Sequence, residues 1–280
     1  MTTPSTLHPV RKAPGPGAPL ARRGLGRAAT PLRGLAGLAG LVALLEVLPH
    51  TGLVSPDYLP PASEMGRALW HMLDDSAFWT ALGDTLTGWG LGLAIAVVAG
   101  VVVGVVIGSI PVLRAVTAST IEFLRPIPSV ALIPVAVLLY GTDLMSTLLL
   151  VVYASFWQVL IQVLAGMQDL DPVADDTARS YQLGGWGRVR YVLWPTALPY
   201  VMTGLRLAAT VALVLAITAE LIIGSPGLGH QIAVAQVSGA VPQVYALVLV
   251  SGLLGVAVNL VARVIERRAM HWHQSMRKEG

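Results

Sequence analysis

The sequence predicts an all-α integral membrane protein, a polytopic bundle of about six transmembrane helices. Hydrophobic residues make up 55% of the 280-residue chain, charged residues only 12%, and the mean hydropathy is +0.70. A soluble domain is usually about 25% charged. The polar surface is therefore too small for a water-soluble fold, and the class of protein is integral membrane.

Six apolar runs are long enough to be spans, since about 20 residues cross the hydrocarbon core as a helix. Uninterrupted helices are expected, because unpaired backbone groups are costly in lipid. The third run is the least regular, since it contains Arg125, Pro126 and Pro128, and the two prolines are expected to distort its helix. The six runs lie at roughly 34–51, 88–110, 115–140, 144–166, 200–223 and 243–262.

A ridge of glycines follows one face of the second run. Gly100, Gly104 and Gly108 are spaced four residues apart, which leaves a flat groove where another helix can approach closely. The ridge predicts a tightly packed bundle and carries no chemistry of its own.

The distribution of arginine and lysine predicts that both termini are cytoplasmic. Residues 1–33 carry basic charges and no acid, and 264–280 is also rich in arginine, whereas 52–87 carries five acids and one arginine. No small-x-small cleavage site follows the first run, which favours an uncleaved anchor over a signal peptide. We expect a disordered basic tail at 1–33, a transmembrane domain at 34–263 and a cytoplasmic tail at 264–280.

One polar segment, residues 171–199, interrupts the apolar runs on the cytoplasmic side. Asp171 can cap a helix and Pro172 suits its first turn, while Gly184 is a natural stop, so a short helix is predicted at 172–183. A second short helix, at about 187–194, is expected to end before Pro195. We call this pair of short helices, within residues 171–199, the knuckle. From the residues alone, the knuckle is either a helical hairpin lying on lipid headgroups or a projection that docks on a soluble partner.

The polar segment resembles the signature loop of permease subunits of binding-protein-dependent ABC importers, which reads E-A-A, three residues, G, nine residues, I-x-L-P. The triplet Asp176-Thr177-Ala178 stands at E-A-A, Gln182 at the glycine, and Pro195 at the proline, with the spacing kept. Because that glycine marks a bend, its replacement by Gln182 suggests that Gly184 and Gly185 have moved the bend. The runs 122–141 and 204–232 look like the third and fifth spans of the nitrate/sulfonate/taurine-type subfamily.

The resemblance implies a type I ABC importer permease fold with a coupling loop at about 167–199. It implies a homodimeric pathway, two ATP-binding subunits that hold the ATP and magnesium, an extracytoplasmic solute-binding protein and a small anionic or organic solute such as nitrate, a sulfonate or taurine. Membrane lipid is an expected partner and nucleic acid is not. The resemblance also implies that residues 34–263 form the permease domain and that the protein lies in a bacterial inner membrane. The implied contacts with the ATPase are Asp176, Thr177, Ala178, Arg179, Tyr181, Gln182, Gly184 and Pro195, and the pathway or gate candidates are Arg125, Pro126, Pro128, Arg206 and Glu220.

The sequence also argues against catalysis by this chain. A Walker A loop needs a lysine followed by Ser or Thr, whereas Lys12 precedes Ala13 and Lys278 precedes Glu279. No catalytic constellation, cofactor site or metal site is predicted, and the chain has no cysteine. An ion-driven secondary transporter is the alternative function, although it usually needs ionisable groups near the midplane.

Overall fold

The computed structural model describes residues 26–270, and this part of the chain is helical with no strand. The prediction of an all-α membrane fold is confirmed. The helices, in chain order, are α1 (Gly26–His50), α2 (Ala62–Leu73), α3 (Ser76–Ser109), α4 (Pro111–Leu124), a 3₁₀ turn (Ser129–Leu132), α5 (Ile133–Tyr140), α6 (Leu144–Gln168), α7 (Pro172–Ser180), α8 (Gly185–Arg188), a π turn (Val189–Leu193), α9 (Trp194–Ile223), α10 (Leu228–Val237) and α11 (Val241–Ala269).

Within the described residues, four helical stretches are long and apolar enough to cross a membrane: α3, α6, the continuous stretch Gly185–Ile223, and α11. The pair formed by α4 and the stretch Ser129–Tyr140 would be a fifth span, bent by 81°. The remaining predicted span falls in α1, whose apolar part, Ala36–His50, is shorter than these. Helix α1 begins inside the segment 1–33 that we expected to be a disordered tail.

The glycine ridge brings α3 and α6 together as parallel neighbours. A Cβ added to Gly100 would lie 2.8 Å from Val159 Cβ, and one added to Gly104 would lie 2.6 Å from Val163 Cγ1. Real Cβ atoms essentially never come so close, so a side chain at either glycine would push the helices apart. The predicted tight packing is confirmed, and α6 also packs along α9.

The third predicted span is broken rather than merely distorted. Helix α4 ends at Leu124, and the chain re-forms a helix only after Pro128. Pro128 has no N–H to donate to the Leu124 carbonyl four residues earlier. That carbonyl instead accepts hydrogen bonds from the Ile127 N–H at 3.2 Å and from the Tyr153 hydroxyl of α6 at 2.7 Å. The expectation of an uninterrupted helix was therefore wrong here, because a neighbouring side chain satisfies the freed carbonyl.

The fifth span is longer than predicted, because the second short helix of the polar segment does not end before Pro195. It continues through the π turn into α9, with Pro195 in the first turn of α9. The Trp194 N–H bonds to the Val189 carbonyl, five residues earlier. Pro195 follows directly after this wider turn. Because proline has no N–H, the interruption of the regular hydrogen-bond pattern at this point allows it in the continuous helix.

Helices α1 and α2 lie at the edge of the bundle. The principal contact of α1 is with α2, and most of its apolar side chains are exposed, among them Leu38, Leu41 and Leu44. Helix α2 packs mainly against α11. The first predicted span is thus peripheral to the core formed by α3, α6 and α9.

Candidate coupling loop and the carboxylate clasp

The first helix of the polar segment forms where the sequence predicts its start. Asp171 Oδ1 accepts a hydrogen bond from the Val173 N–H at 2.9 Å, which caps α7. The hydroxyls of Thr177 and Ser180 bond back to carbonyls of the preceding turn at 2.7 and 2.9 Å. Helix α7 lies at the end of the bundle where α6 finishes and α9 starts. It ends at Ser180, three residues before the predicted boundary at 183.

Gln182 is the bend of the polar segment. Its φ is +55°, the only positive φ at a non-glycine residue among those described. The Leu183 N–H bonds to the Ala178 carbonyl at 3.0 Å and the Tyr181 N–H bonds to the Thr177 carbonyl at 3.0 Å. A residue in the left-handed conformation, followed by a residue whose N–H bonds to the carbonyl five positions earlier, is the Schellman ending of a helix. The left-handed position of this motif is usually glycine.

The bend has therefore not moved to the glycines. Gly184 has φ −58° and ψ 165°, an extended conformation that any residue adopts, and it precedes α8 as its N-cap. A Cβ added at Gly184 or Gly185 would meet nothing within 4 Å. Gln182 itself takes the conformation that the signature's glycine would take, and the expectation of a shifted bend was wrong.

The signature triplet divides into one buried and two exposed side chains. Ala178 is only 3% exposed, whereas Asp176 and Thr177 lie on the surface. Helix α7 packs on the π turn, and Ala178 is the buried residue among the described side chains of α7. A larger side chain at Ala178 would be crowded. The Arg179 side chain lies outside the described part of the structure.

Exposed aromatic side chains cover the surface of the knuckle. Tyr181 is 80% exposed and Trp186 is 79% exposed, with Val173 and Tyr191 also open to the surroundings. Aromatic residues are enriched at the centres of protein interfaces, and a soluble monomer rarely exposes several of them together. The exposed aromatic side chains therefore indicate that the knuckle contacts either the membrane or another protein.

The pathway candidates lie in three different places. Arg125 ends α4 at the break and lines a cavity of about 520 Å³ between α4 and α6. Pro126 and Pro128 form the break itself. Arg206 of α9 is paired with Glu266 of α11 through a 3.2 Å contact between Nη1 and Oε2. This ion pair joins α9 to α11.

Glu220 is the centre of a buried cluster at the end of the bundle away from the polar segment. Its side chain is 1% exposed. Oε2 accepts hydrogen bonds from the Thr85 hydroxyl of α3 at 2.8 Å and from the Gly229 N–H of α10 at 3.0 Å. Thr85 in turn accepts from the Leu228 N–H at 2.9 Å. We call Glu220, Thr85 and the amides of residues 228 and 229 the carboxylate clasp, because together they join α3, α9 and α10.

Two glycines allow the clasp to close. Gly227 has φ +151°, and a Cβ there would collide with the Glu220 carboxylate. A Cβ at Gly229 would collide with the Ile217 carbonyl of α9. Beside the clasp, Thr147 Oγ1 and Ser225 Oγ are 2.8 Å apart, which ties the turn after α9 to α6. Sequence reasoning named Glu220 but missed Thr85, Thr147 and Ser225, and the signal that pointed nearest to them was the Gly-Leu-Gly turn at 227–229.

A cavity of about 650 Å³ lies along α6, lined mainly by apolar and aromatic side chains. Tyr140, Tyr153, Phe156 and Trp157 contribute the rings. Within the described residues, the Trp157 Nε1 is a buried donor without a hydrogen-bond partner. No group of three or more His, Asp or Glu side chains in residues 26–270 is placed to hold a metal ion.

The described chain is thus a bundle of unbroken spans and one bent span, with the polar segment between α6 and α9. Residues 78–271 match the family described as the binding-protein-dependent transport system inner membrane component, and the chain belongs to that family. The protein is thus a permease subunit of a binding-protein-dependent ABC importer.

Several curated relatives share most of this chain. The taurine transport system permease protein TauC of Escherichia coli (strain K12) is 31% identical over 226 residues, covering 79% of this chain and 82% of its own. The putative aliphatic sulfonates transport permease protein SsuC of Bacillus subtilis (strain 168) is 27% identical and covers 87% and 88%. The nitrate import permease protein NrtB of Leptolyngbya laminosa is 24% identical and covers 70% of each.

Solved structures share the fold. A chain from the inward-facing MetNI methionine ABC transporter superposes with a TM-score of 0.59 at 18% identity, covering 69% of this chain and 96% of that chain. A chain from an amino acid ABC transporter crystallised with histidines gives 0.57 at 22% identity, covering 69% and 94%. The fold is that of type I ABC importer permeases.

Proposed function

We propose that this chain forms the translocation pathway as a homodimer, and that its polar segment couples the pathway to a separate ATPase subunit. The observation that carries the proposal is the knuckle itself. It keeps the signature spacing and the Schellman bend at Gln182, and its surface exposes Tyr181 and Trp186 rather than burying them. A solute-binding protein would deliver the solute at the clasp end of the bundle.

The knuckle is mechanically suited to transmit force. Its second arm, α8 and the π turn, continues without a break into α9, so a push on the knuckle reaches the far end of a single 39-residue helix. At that far end Glu220 joins α9 to α3 and α10. A rigid element of this kind can switch between two packed arrangements when a partner moves its end.

The proposed solute is a small anion or small organic solute of the kind named for the relatives: taurine, an aliphatic sulfonate or nitrate. We infer the class from the relatives alone, because the solute would be selected largely by the binding protein. The direct test is uptake of labelled taurine, an alkanesulfonate and nitrate by cells that express this chain with its cognate ATPase and binding protein. Failure to take up any of these solutes would overturn the solute class and leave the coupling proposal to its own test.

An ion-driven transporter finds no support in the described spans. Arg206 is held in an ion pair with Glu266, and Glu220 is held in the clasp. A proton or sodium relay usually places ionisable groups along a path near the midplane. These two groups instead join helices at separate levels of the bundle.

The coupling proposal is tested by copurification of the tagged permease with its ATPase subunit. Tyr181→Ala and Asp176→Lys should insert in the membrane at normal levels, retain little ATPase and abolish most uptake. Losing a contact at a docking interface can cost about 2–5 kcal/mol when charged groups are involved, whereas reversing an exposed charge at a helix start costs the fold only about 0.3–1 kcal/mol.

The matched control is Tyr58→Ala, since Tyr58 is 78% exposed but lies at the opposite end of the bundle. Its hydrogen bonds with the Ser55 carbonyl and the Tyr245 hydroxyl are made by its backbone, which alanine keeps. This variant should copurify normally with the ATPase. If both knuckle variants retained the ATPase and transported at the wild-type rate, the polar segment would have no role in coupling and would be a hairpin on the lipid surface.

A further inference from the structure

Helix α2 is an amphipathic helix outside the matched family region, and it leaves an apolar edge exposed. Trp70 is 70% exposed and Leu73 is 40% exposed, and beside them Trp79 of α3 is 54% exposed. We propose that this edge, Trp70, Leu73 and Trp79, is seated in the lipid headgroup region, so that α2 lies in the plane of the membrane at the end of the bundle opposite the polar segment.

The uncharged part of α11 indicates where α2 lies relative to the bilayer. Residues 241–262 carry no charge, and Arg263 follows them. At ~1.5 Å per residue this run is roughly 33 Å long, which matches the ~30 Å hydrocarbon core. Its first turns therefore mark one edge of the bilayer. Helix α2 packs there, since Met72 belongs to the same apolar cluster as Val244 and Leu247.

The rotation of α2 about its axis is fixed by contacts at both ends. At its start, Glu46 of α1 accepts hydrogen bonds from the Ser63 N–H at 2.8 Å and from the Ser63 hydroxyl at 3.0 Å. At its end, the Trp79 indole N–H donates to the Leu73 carbonyl at 2.9 Å. Because α2 cannot roll freely, the direction in which Trp70 points is a property of the fold.

The side chains of α2 separate into three faces. Met65, Leu69 and Met72 are partly buried and turn toward the bundle. At 100° per residue, Leu73 lies round the helix from the middle of that face and Trp70 lies further round, and the exposed Arg67 and His71 follow beyond Trp70 on the polar side. An apolar edge between a packed face and a polar face is the arrangement of a helix that lies at a membrane surface.

Two observations favour lipid over a protein as the occupant of this edge. The edge continues down α3, because Trp79 and the exposed Leu86 are seven residues apart and so lie on the same side of the helix. Trp70 and Trp79 also lie at the level of the bilayer edge, where tryptophan is enriched in membrane proteins. The ionisable side chains of α2, Glu64, Arg67 and His71, lie further round the helix than this edge.

The experiment uses the absence of native cysteine from the chain. Single cysteines replace Trp70 and Leu73 on the apolar edge, and Arg67 and His71 on the polar side. Each carries a nitroxide label, and the full-length chain is placed in phosphatidylcholine nanodiscs. Val98, an exposed side chain of α3, serves as the lipid-facing reference. The measurement is the accessibility of each label to oxygen, which concentrates in lipid, relative to a water-soluble nickel chelate.

Labels at Trp70 and Leu73 should show a ratio several-fold higher than labels at Arg67 and His71, and approaching that at Val98. If the two groups were equally accessible to the chelate, the edge would face water and the proposal would be overturned in favour of a docking surface for a soluble protein. Protection of Trp70 and Leu73 from both reagents would also overturn it, because the edge would then be covered by a second copy of the chain. Since Trp70 and Leu73 are separate variants, a folding failure of one leaves the other to decide.

Discussion

The left-handed conformation of Gln182 is the feature of the polar segment that a single substitution tests most directly. The Schellman turn requires a positive φ at this residue, and φ is +55°. Gln182→Gly removes the Cβ that makes this conformation unfavourable and keeps the bonds that the Leu183 and Tyr181 amides make to α7. The substitution should therefore stabilise the knuckle without changing its shape.

The magnitude follows from two opposing terms. A left-handed residue with a Cβ costs about 1–2 kcal/mol. Glycine loses more backbone entropy on ordering, which offsets about 0.5–1 kcal/mol of the gain. The net stabilisation for Gln182→Gly is about 1 kcal/mol, and since ~1.4 kcal/mol is tenfold in an equilibrium constant, the open population of the turn should fall about fivefold.

Hydrogen exchange measured by mass spectrometry on the membrane-embedded chain reads this population directly. Peptides that cover the polar segment should exchange about fivefold more slowly in Gln182→Gly than in the wild type. Gln182→Val, with a β-branched side chain, should exchange faster, because its Cβ is more crowded at positive φ. Peptides from α11 serve as the internal reference and should not change.

Gly184→Ala is the matched control for the position of the bend. Gly184 has an ordinary extended conformation and open space at its Cβ, so alanine should leave exchange in the polar segment almost unaltered. If Gly184→Ala accelerated exchange strongly while Gln182→Gly had no effect, the bend would lie at the glycines and the assignment of the Schellman turn would be refuted.

Three further predictions concern the membrane bundle. Thr85→Val removes a hydroxyl that donates to one buried group and accepts from another, and should lower the free energy of unfolding in detergent by about 2–5 kcal/mol. The control Thr87→Val loses only an exposed hydrogen bond within α3 and should cost less than about 1 kcal/mol. Equal losses in the two variants would contradict the carboxylate clasp. Gly104→Ala should destabilise the protein by about 1–3 kcal/mol, measured by thermal unfolding in detergent, because the new methyl group collides with α6. Gly90→Ala meets nothing within 4 Å and should be neutral or stabilising in that assay. The reverse order would refute the close approach of α3 and α6. Val237→Cys, at 91% exposure in α10, should react with a membrane-impermeant maleimide added to intact cells, and protection until the cells are opened would reverse the predicted orientation.

The sequence determined the class of the protein and most of the spans. Apolar runs of about 20 residues mark membrane helices without any tertiary information, because the bilayer imposes one length on every span. The start of α7 was also predictable, since Asp171 and Pro172 act only on their own turn. The spacing of Gly100, Gly104 and Gly108 correctly indicated a close helix contact, although it could not name α6 as the partner.

Predictions from local sequence were wrong where contacts with residues outside the local segment outweighed the local conformational preference. The break at Pro128 lasts because the Tyr153 hydroxyl, from α6, satisfies the Leu124 carbonyl. Gln182 holds a left-handed conformation that its own propensity disfavours, while the Leu183 N–H bonds to the carbonyl of the buried Ala178. In both places the energy of packing and hydrogen bonding exceeds a local preference of about 1–2 kcal/mol.

The carboxylate clasp was decided by the tertiary structure alone. Thr85 and Glu220 are 135 residues apart in the chain, and nothing in the local pattern of either indicates the other. A carboxylate buried in an apolar bundle is tolerable only when donors surround it, and the Thr85 hydroxyl and the Gly229 amide reach it only after α3, α9 and α10 have packed. The sequence could show that Glu220 lay in a span, but the donors that make its burial possible exist only in the assembled fold.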